Sequence, residues 1–268
     1  MSHAVARLRT ARLAQLTKPF VARGSRAERC TGCRLLPSHC LCALRPTLPT
    51  DATRAGVCLI MGDIEALKPS NTGWLIADVL PDTYAFGWAR TRVDPALLAL
   101  LADPQWQPYL VFPGEFVAPE RVVTALAPQR DKAEAGEESG EAAGEKSQAK
   151  RPLFVLLDAT WAEARKMFLK SPYLNHLPVL SLQPQEASNY RLRRSTRDDH
   201  LCTSEVAALC LALAGDAQTA QTLDAYLAVF SQRYLQARAH VPVDLEDAAY
   251  QRLLLCAGPH SAAMGCEL

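Results

Sequence analysis

The sequence predicts an α/β fold built on a mostly parallel sheet. Three observations point there. Short, continuous apolar runs recur along the chain (GVCLIM, YLVF, LFVLL and PVLSL). Segments of helical spacing alternate with them. The best-defined runs stop at polar or glycine-bearing turns. Runs apolar on both faces belong to strands covered on both sides, the condition of parallel sheets with crossover helices.

The elements follow in order. Residues 1–29 form a basic leader, with Arg7, Arg9, Arg12, Lys18, Arg23, Arg26 and Arg29 against the single acid Glu28. It reads equally as a solvated, partly helical tail or as a contact for a polyanion. Residues 30–50 form a cysteine-rich module. Gly56–Met61 is a strand, Asn71–Leu80 a helix stopped by Pro81, and Tyr84–Trp88 a second strand. Asp94 and Pro95 open a helix as N-cap and first helical residue. Tyr109–Phe112 is a strand ended by Pro113–Gly114. Residues 128–151 hold Gly, Ala, Glu, Ser and Lys without aromatic or β-branched residues. They read as an exposed acidic insertion, because they bury too little apolar surface to offset ordering entropy. Leu153–Leu157 is a central strand, followed by the helix AEARKMFLKS. Pro178–Leu182 is a strand, Ser204–Ala214 a buried helix capped by Ser204, and Thr222–Ala239 an amphipathic helix. The domain reading is therefore 51–127 with 152–240 as one α/β domain, and 241–268 as a tail.

Composition narrows the function. The 268 residues are 49% hydrophobic and 21% charged, and 29 Lys+Arg nearly cancel 28 Asp+Glu. A polycation or an acidic solvating chain is excluded. No window is apolar over the length of a membrane span, and the N-terminus has no apolar signal core. A cytoplasmic protein with no membrane association and no evident obligate protein partner is expected.

Cys30, Cys33, Cys40 and Cys42 have the spacing C-x2-C-x6-C-x-C, which can supply four thiolates to one tetrahedral ion. Four ligands leave no open position, so a zinc there is structural. Gly32 and Pro37 suit the turns, and His39 is a possible replacement for Cys40 or Cys42. Unligated thiols are the alternative.

Parallel sheets place their sites beyond the carboxyl ends of the strands. Asp158-Ala159-Thr160-Trp161 ends the most apolar run there. Asp158 is a candidate base or proton-orienting group, or simply a helix cap. Thr160 offers a hydroxyl, and Trp161 a flat surface for stacking. The stretch Tyr190–Arg197 carries Arg191, Arg193 and Arg194, which suit phosphate contacts, or a solvated strand face. No glycine-rich dinucleotide loop, Walker lysine loop or nucleophile elbow is present.

Together these segments resemble the DTW-domain family of tRNA-uridine aminocarboxypropyltransferases. The resemblance rests on CTGCRLLPSHCLCA, IEALKPSNTGWL with Glu65 and Asn71–Thr72, YLVFPGE, LLDATWAEARKM, SPYLNHLPVLSL, NYRLRRS and CTSEVAAL. It implies transfer of the 3-amino-3-carboxypropyl group of S-adenosylmethionine to N3 of a tRNA uridine. It implies a SPOUT-like fold with a trefoil knot towards the C-terminal half. It also implies that Asp158, Thr160 and Trp161 form the catalytic set. The cofactor site would be lined by Pro113, Gly114, Glu115, Leu180, Leu182, Ser204 and Glu205. Asn71, Arg191, Arg193, Arg194 and the leader would meet RNA. Gly62 and Asp63 stand where the family often has His-Pro. A SPOUT-like methyltransferase using the same cofactor, and a non-enzymatic zinc-containing RNA-binding protein, are the alternatives.

Overall fold

The computed structural model describes residues 2–21, 27–48, 53–126, 150–182, 188, 190, 192 and 201–257. Its elements are α1 (Ala4–Ala14), β1 (Gly56–Met61), α2 (Gly73–Val79), β2 (Thr83–Gly87), α3 (Pro95–Ala102), β3 (Trp106–Val111) and β4 (Val122–Val123). They continue with β5 (Arg151–Asp158), α4 (Trp161–Leu169), β6 (Val179–Leu180), α5 (Thr203–Leu213), α6 (Ala217–Ala239) and α7 (Ala248–Ala257).

The strands form one six-stranded sheet of order β2-β1-β5-β3-β6-β4, and every pairing is parallel. β1 and β5 lie inside it, which explains their unbroken apolar character. Alternate side chains go to opposite faces. Val57, Leu59, Met61, Phe154 and Leu156 enter one core with α2, α5 and α6. Cys58, Ile60, Leu153 and Val155 enter a second core with Leu97 and Leu101 of α3 and Met167 of α4. Each such side chain, fully buried, contributes about 1.5–3 kcal/mol.

Local signals account for most boundaries. Asp94 caps α3 by accepting from the Ala96 N–H at 2.9 Å, with Pro95 in the first turn. α6 ends at His240, which takes the left-handed conformation at φ 57° while the Val241 N–H bonds back to the Gln236 carbonyl. The carboxylate of Asp216, between α5 and α6, accepts the backbone N–H groups of Arg54 and Ala55. That ties the helical pair to the start of β1.

Several expectations change. The strand expected at Pro178–Leu182 is only Val179–Leu180. Ser181 beyond it still donates its N–H to the Val123 carbonyl. α5 starts one residue earlier, with Cys202 as N-cap. Ser204 is therefore not the cap but a buried residue of the first turn. β5 begins at Arg151, the residue expected to close the acidic insertion; residues 128–149 of that insertion lie outside the described residues.

The leader's first half is packed against the domain. Val5 is completely buried. The His3 ring caps α1 through Nδ1, which accepts from the Ala6 N–H, and meets Trp74 edge-on at 4.4 Å. Arg12 pairs with Asp63 just beyond β1. At the other end, α7 packs on α6 through the buried Leu253.

The expected trefoil knot depends on the path from β6 to α5. Residues 183–187, 189, 191 and 193–200 of that path lie outside the described residues. Among the described residues, no helix is long and apolar enough to cross a membrane.

Candidate functional site

All six strands point the same way, so their carboxyl ends share one edge. β1 and β5 are neighbours there, yet the helix after β1 covers one face and the helix after β5 the other. Such a divergence opens a crevice between two strand ends. Asp158 sits at it, with its carbonyl accepting the Gly62 N–H at 2.9 Å.

Position 158 continues the parity of Phe154 and Leu156, which directs its carboxylate to the α2–α5 face. The group is fully buried. Oδ2 accepts from Asn71 Nδ2 at 2.7 Å, and Oδ1 accepts from Thr203 Oγ1 at 2.7 Å. A buried carboxylate that accepts two short hydrogen bonds is held in a fixed orientation. Asn71 is held in turn, its Oδ1 accepting the Trp74 N–H at 3.1 Å. Gly73 leaves room for the carboxylate: a Cβ there would stand 2.7 Å from Oδ2.

The DATW motif is divided between the two faces. Thr160 is the N-cap of α4, in a reciprocal capping box with Glu163. Its hydroxyl donates to Glu163 Oε2 at 2.7 Å, which holds the Glu163 carboxyl below its usual range. Trp161 turns to the α4 side. Its indole stacks on Phe112 at 5.5 Å with an interplanar angle of 11°, lies 5.6 Å from Phe116 and stays 40% exposed. A half-open aromatic shelf at a strand edge suits a flat base or a cation.

The turn after β3 is fixed to β6. The Gly114 N–H donates to Ser181 Oγ at 3.0 Å, and the Phe112 N–H to the Leu180 carbonyl. A Cβ on Gly114 would lie 3.0 Å from that hydroxyl, so a larger residue would need the neighbours to give by a few tenths of an ångström. Pro113, Gly114 and Leu180 are thus brought together. Leu182 is half-buried beside them in chain order, and Glu115 is exposed.

Ser204 and Glu205 belong to the Asp158 side instead. The Ser204 N–H reaches Thr72 Oγ1 at 3.4 Å, while its own hydroxyl is buried without a hydrogen-bond partner among the described residues. Glu205 Oε2 accepts from the Cys202 N–H and from Ser188 Oγ, both at 2.7 Å. Asn71, expected to meet RNA, is fully buried with its amide committed to Asp158 and its oxygen to Trp74. It positions the carboxylate and has no surface to offer RNA. Arg191, Arg193 and Arg194 lie outside the described residues.

The sulfur atoms of Cys30, Cys33, Cys40 and Cys42 all lie within 4.8 Å of one another. Three of the pairs are 3.5, 3.6 and 3.8 Å apart. A tetrahedral ion with zinc–sulfur bonds of about 2.3 Å needs sulfur pairs about 3.8 Å apart, so the set fits zinc. The hydrogen bond from Cys42, with backbone N–H groups including that of Leu41, draws the Cys33 thiol down to about 5. Burial, then the negative charge at Cys33, push Cys40 up to about 12. Such opposed shifts are what a divalent cation would relieve. A Cβ on Gly32 would meet Cys42 Sγ at 2.7 Å, so the knuckle needs this glycine. His39 is not a ligand: Nε2 faces the Val241 carbonyl and Nδ1 faces Ser38 Oγ, each at 2.9 Å.

Sequence reasoning missed Thr203, Gly73, Ser181 and Arg34. All four lie inside quoted motifs, but which side chain or backbone group reaches Asp158, Asn71 or Gly114 depends on contacts distant in the chain.

Residues 27–235 match a family model described as the DTW domain. No solved structure matches the chain.

Proposed function

The chain belongs to the DTW-domain family, and from that premise we propose that it is a tRNA-modifying transferase. Its reaction would move the 3-amino-3-carboxypropyl group of S-adenosylmethionine to N3 of a tRNA uridine. The observation that carries the reading is the buried Asp158 carboxylate, held by Asn71 and Thr203 where β1 and β5 diverge.

The chemistry asks for alignment more than for activation. The N3 proton leaves to water. The freed electron pair of N3 forms a bond to the carbon beside the sulfonium, and the carbon–sulfur bond breaks with its electrons going to sulfur. Methylthioadenosine is the leaving product. Holding nitrogen, carbon and sulfur in line supplies most of the acceleration. Asp158 acts here as an orienting anion, because both of its oxygens already accept short hydrogen bonds.

Trp161 offers its exposed indole to the base or the sulfonium. Pro113, Gly114, Glu115, Leu180 and Leu182 line the co-substrate. The unpartnered hydroxyl of Ser204 is a spare hydrogen bond for the amino acid moiety, beside Glu205. Thr160 supports the site through the start of α4. Cys30, Cys33, Cys40 and Cys42 hold a structural zinc, which contributes folding energy and no chemistry. Arg191, Arg193, Arg194 and the basic leader track the RNA backbone. The same reading carries a SPOUT-like fold with a C-terminal trefoil knot and a cytoplasmic location.

The test is mass spectrometry of nucleosides from bulk tRNA incubated with the protein and S-adenosylmethionine. A uridine heavier by one aminocarboxypropyl group, with methylthioadenosine released, supports the proposal. Addition of a methyl group with release of S-adenosylhomocysteine overturns the reaction, and unmodified tRNA overturns the substrate.

A further inference from the structure

We propose that Arg34 is a positioning residue that ties the four-cysteine module to the site carboxylate Asp158. Its catalytic consequence rests on the function proposed above; its geometry does not.

Arg34 follows Cys33 directly and is 2% exposed. Its backbone is left-handed at φ 66°, a conformation most side chains avoid. The knuckle imposes it: the Arg34 N–H donates to the Cys30 carbonyl, and the Cys30 N–H donates to the Leu35 carbonyl, both at 2.8 Å. From this turn the side chain runs inward. Nη1 donates to the Lys68 carbonyl and Nη2 to the Asn71 carbonyl, each at 3.0 Å. The guanidinium lies over the Trp74 ring at 4.2 Å. Burial lowers Arg34 to about 10, so it stays charged at neutral pH.

The two carbonyls bracket the loop that carries Asn71, and Asn71 holds Asp158. A second link runs alongside, since Trp74 Nε1 donates to the Gly32 carbonyl at 3.2 Å. The module therefore grips residues 68–74 through a rigid two-pronged donor and an indole. A lysine carries the same charge but cannot fork to two carbonyls in fixed geometry. The ion held by the cysteines would thus set the knuckle, the knuckle would aim Arg34, and Arg34 would fix the loop that orients the carboxylate. Supporting residues of this kind typically change activity by about 10- to 100-fold.

The experiment compares wild type, Arg34→Lys, Arg34→Gln, Asn71→Ala and Arg34→Gln/Asn71→Ala, each with measured zinc content and Tm. Amide hydrogen exchange is followed over residues 65–75, and kcat and KM are measured for transfer to tRNA. Arg34→Lys serves where Arg34→Gln folds poorly. The expected result is retained zinc and faster exchange confined to residues 65–75. With it, kcat falls about 10- to 100-fold while KM values stay within about twofold. Adding Arg34→Gln to Asn71→Ala should cost little more, because the two act in series. Unchanged exchange in 65–75, or losses that multiply in the double variant, would overturn the proposal. If the wild-type protein transfers nothing, the functional reading fails by itself, and the exchange measurement alone decides the role of Arg34.

Discussion

A side-chain methyl on Gly73 would stand 2.7 Å from Oδ2 of Asp158, the same oxygen that accepts the Asn71 amide. The carboxylate is therefore packed on one side by bare backbone and held by amide and hydroxyl donors. Gly73→Ala is expected to displace it at a cost of about 1–3 kcal/mol, the usual range for overpacking. Asn71→Ala leaves a buried carboxylate oxygen short of a donor and costs at least about 1–3 kcal/mol. Urea unfolding with the transfer assay checks both. A fully active, fully stable Gly73→Ala protein would show that the carboxylate has room to spare.

The structure gives Thr160 a capping role. Removing its hydroxyl in Thr160→Ala should cost about 1 kcal/mol, and Thr160→Ser should restore most of it. Trp161→Ala should behave differently. The ring is 40% exposed, so stability changes modestly, while binding of the base or co-substrate weakens by the about 1–3 kcal/mol typical of stacking. Titration calorimetry separates the two. Unaltered affinity in Trp161→Ala would remove the indole from the site.

The cysteine cluster should bind about one zinc per chain. Cys33→Ser is expected to lose the metal and lower Tm by at least about 5 °C, since structural zinc binding is folding free energy. Elemental analysis and calorimetry test this. A Cys33→Ser protein as stable as wild type would mean that the four thiols stand unligated.

His3 and Asp78 titrate in opposite directions. Burial, then Arg45, Arg34 and Arg7, lower His3 from 6.5 to about 3. Burial raises Asp78 from 3.8 to about 6 against the pull of Arg45. As pH falls below 6.5 the unfolded chain protonates position 3 and the native one does not, which destabilises the fold by about 1.4 kcal/mol per unit. Below pH 6 the native chain protonates Asp78 and the unfolded one does not, which stabilises it by a similar slope. Between about pH 6 and 4 the two cancel. His3→Gln removes the first effect only. Its stability relative to wild type should therefore rise as pH falls through that window. Parallel urea midpoints for the two proteins would refute the pairing.

Much of the fold was legible. The apolar runs of β1, β3 and β5 announced strands covered on both faces, and Asp94-Pro95 announced the start of α3. These depend on neighbours in sequence and on the period of side-chain direction. One helix signal misled locally. Ser204 looked like a cap, but Glu205, three residues after Cys202, accepts the Cys202 N–H and fixes the start one residue earlier. The resemblance sets Asn71 against RNA, but its amide partner, Asp158, is distant in the chain, and the residue is buried.

By itself the sequence determined the parallel α/β class, the family motifs, the four clustered cysteines of the module and the placing of Asp158 at a strand end. Each follows from residue type and spacing. Only the tertiary structure decided that β1 and β5 are neighbours whose helices diverge, that Asn71, Gly73 and Thr203 surround Asp158, and that Arg34 joins the cysteine knuckle to the Asn71 carbonyl. Strand order and contacts between distant segments arise from burying both faces of the sheet at once. No local pattern encodes that solution.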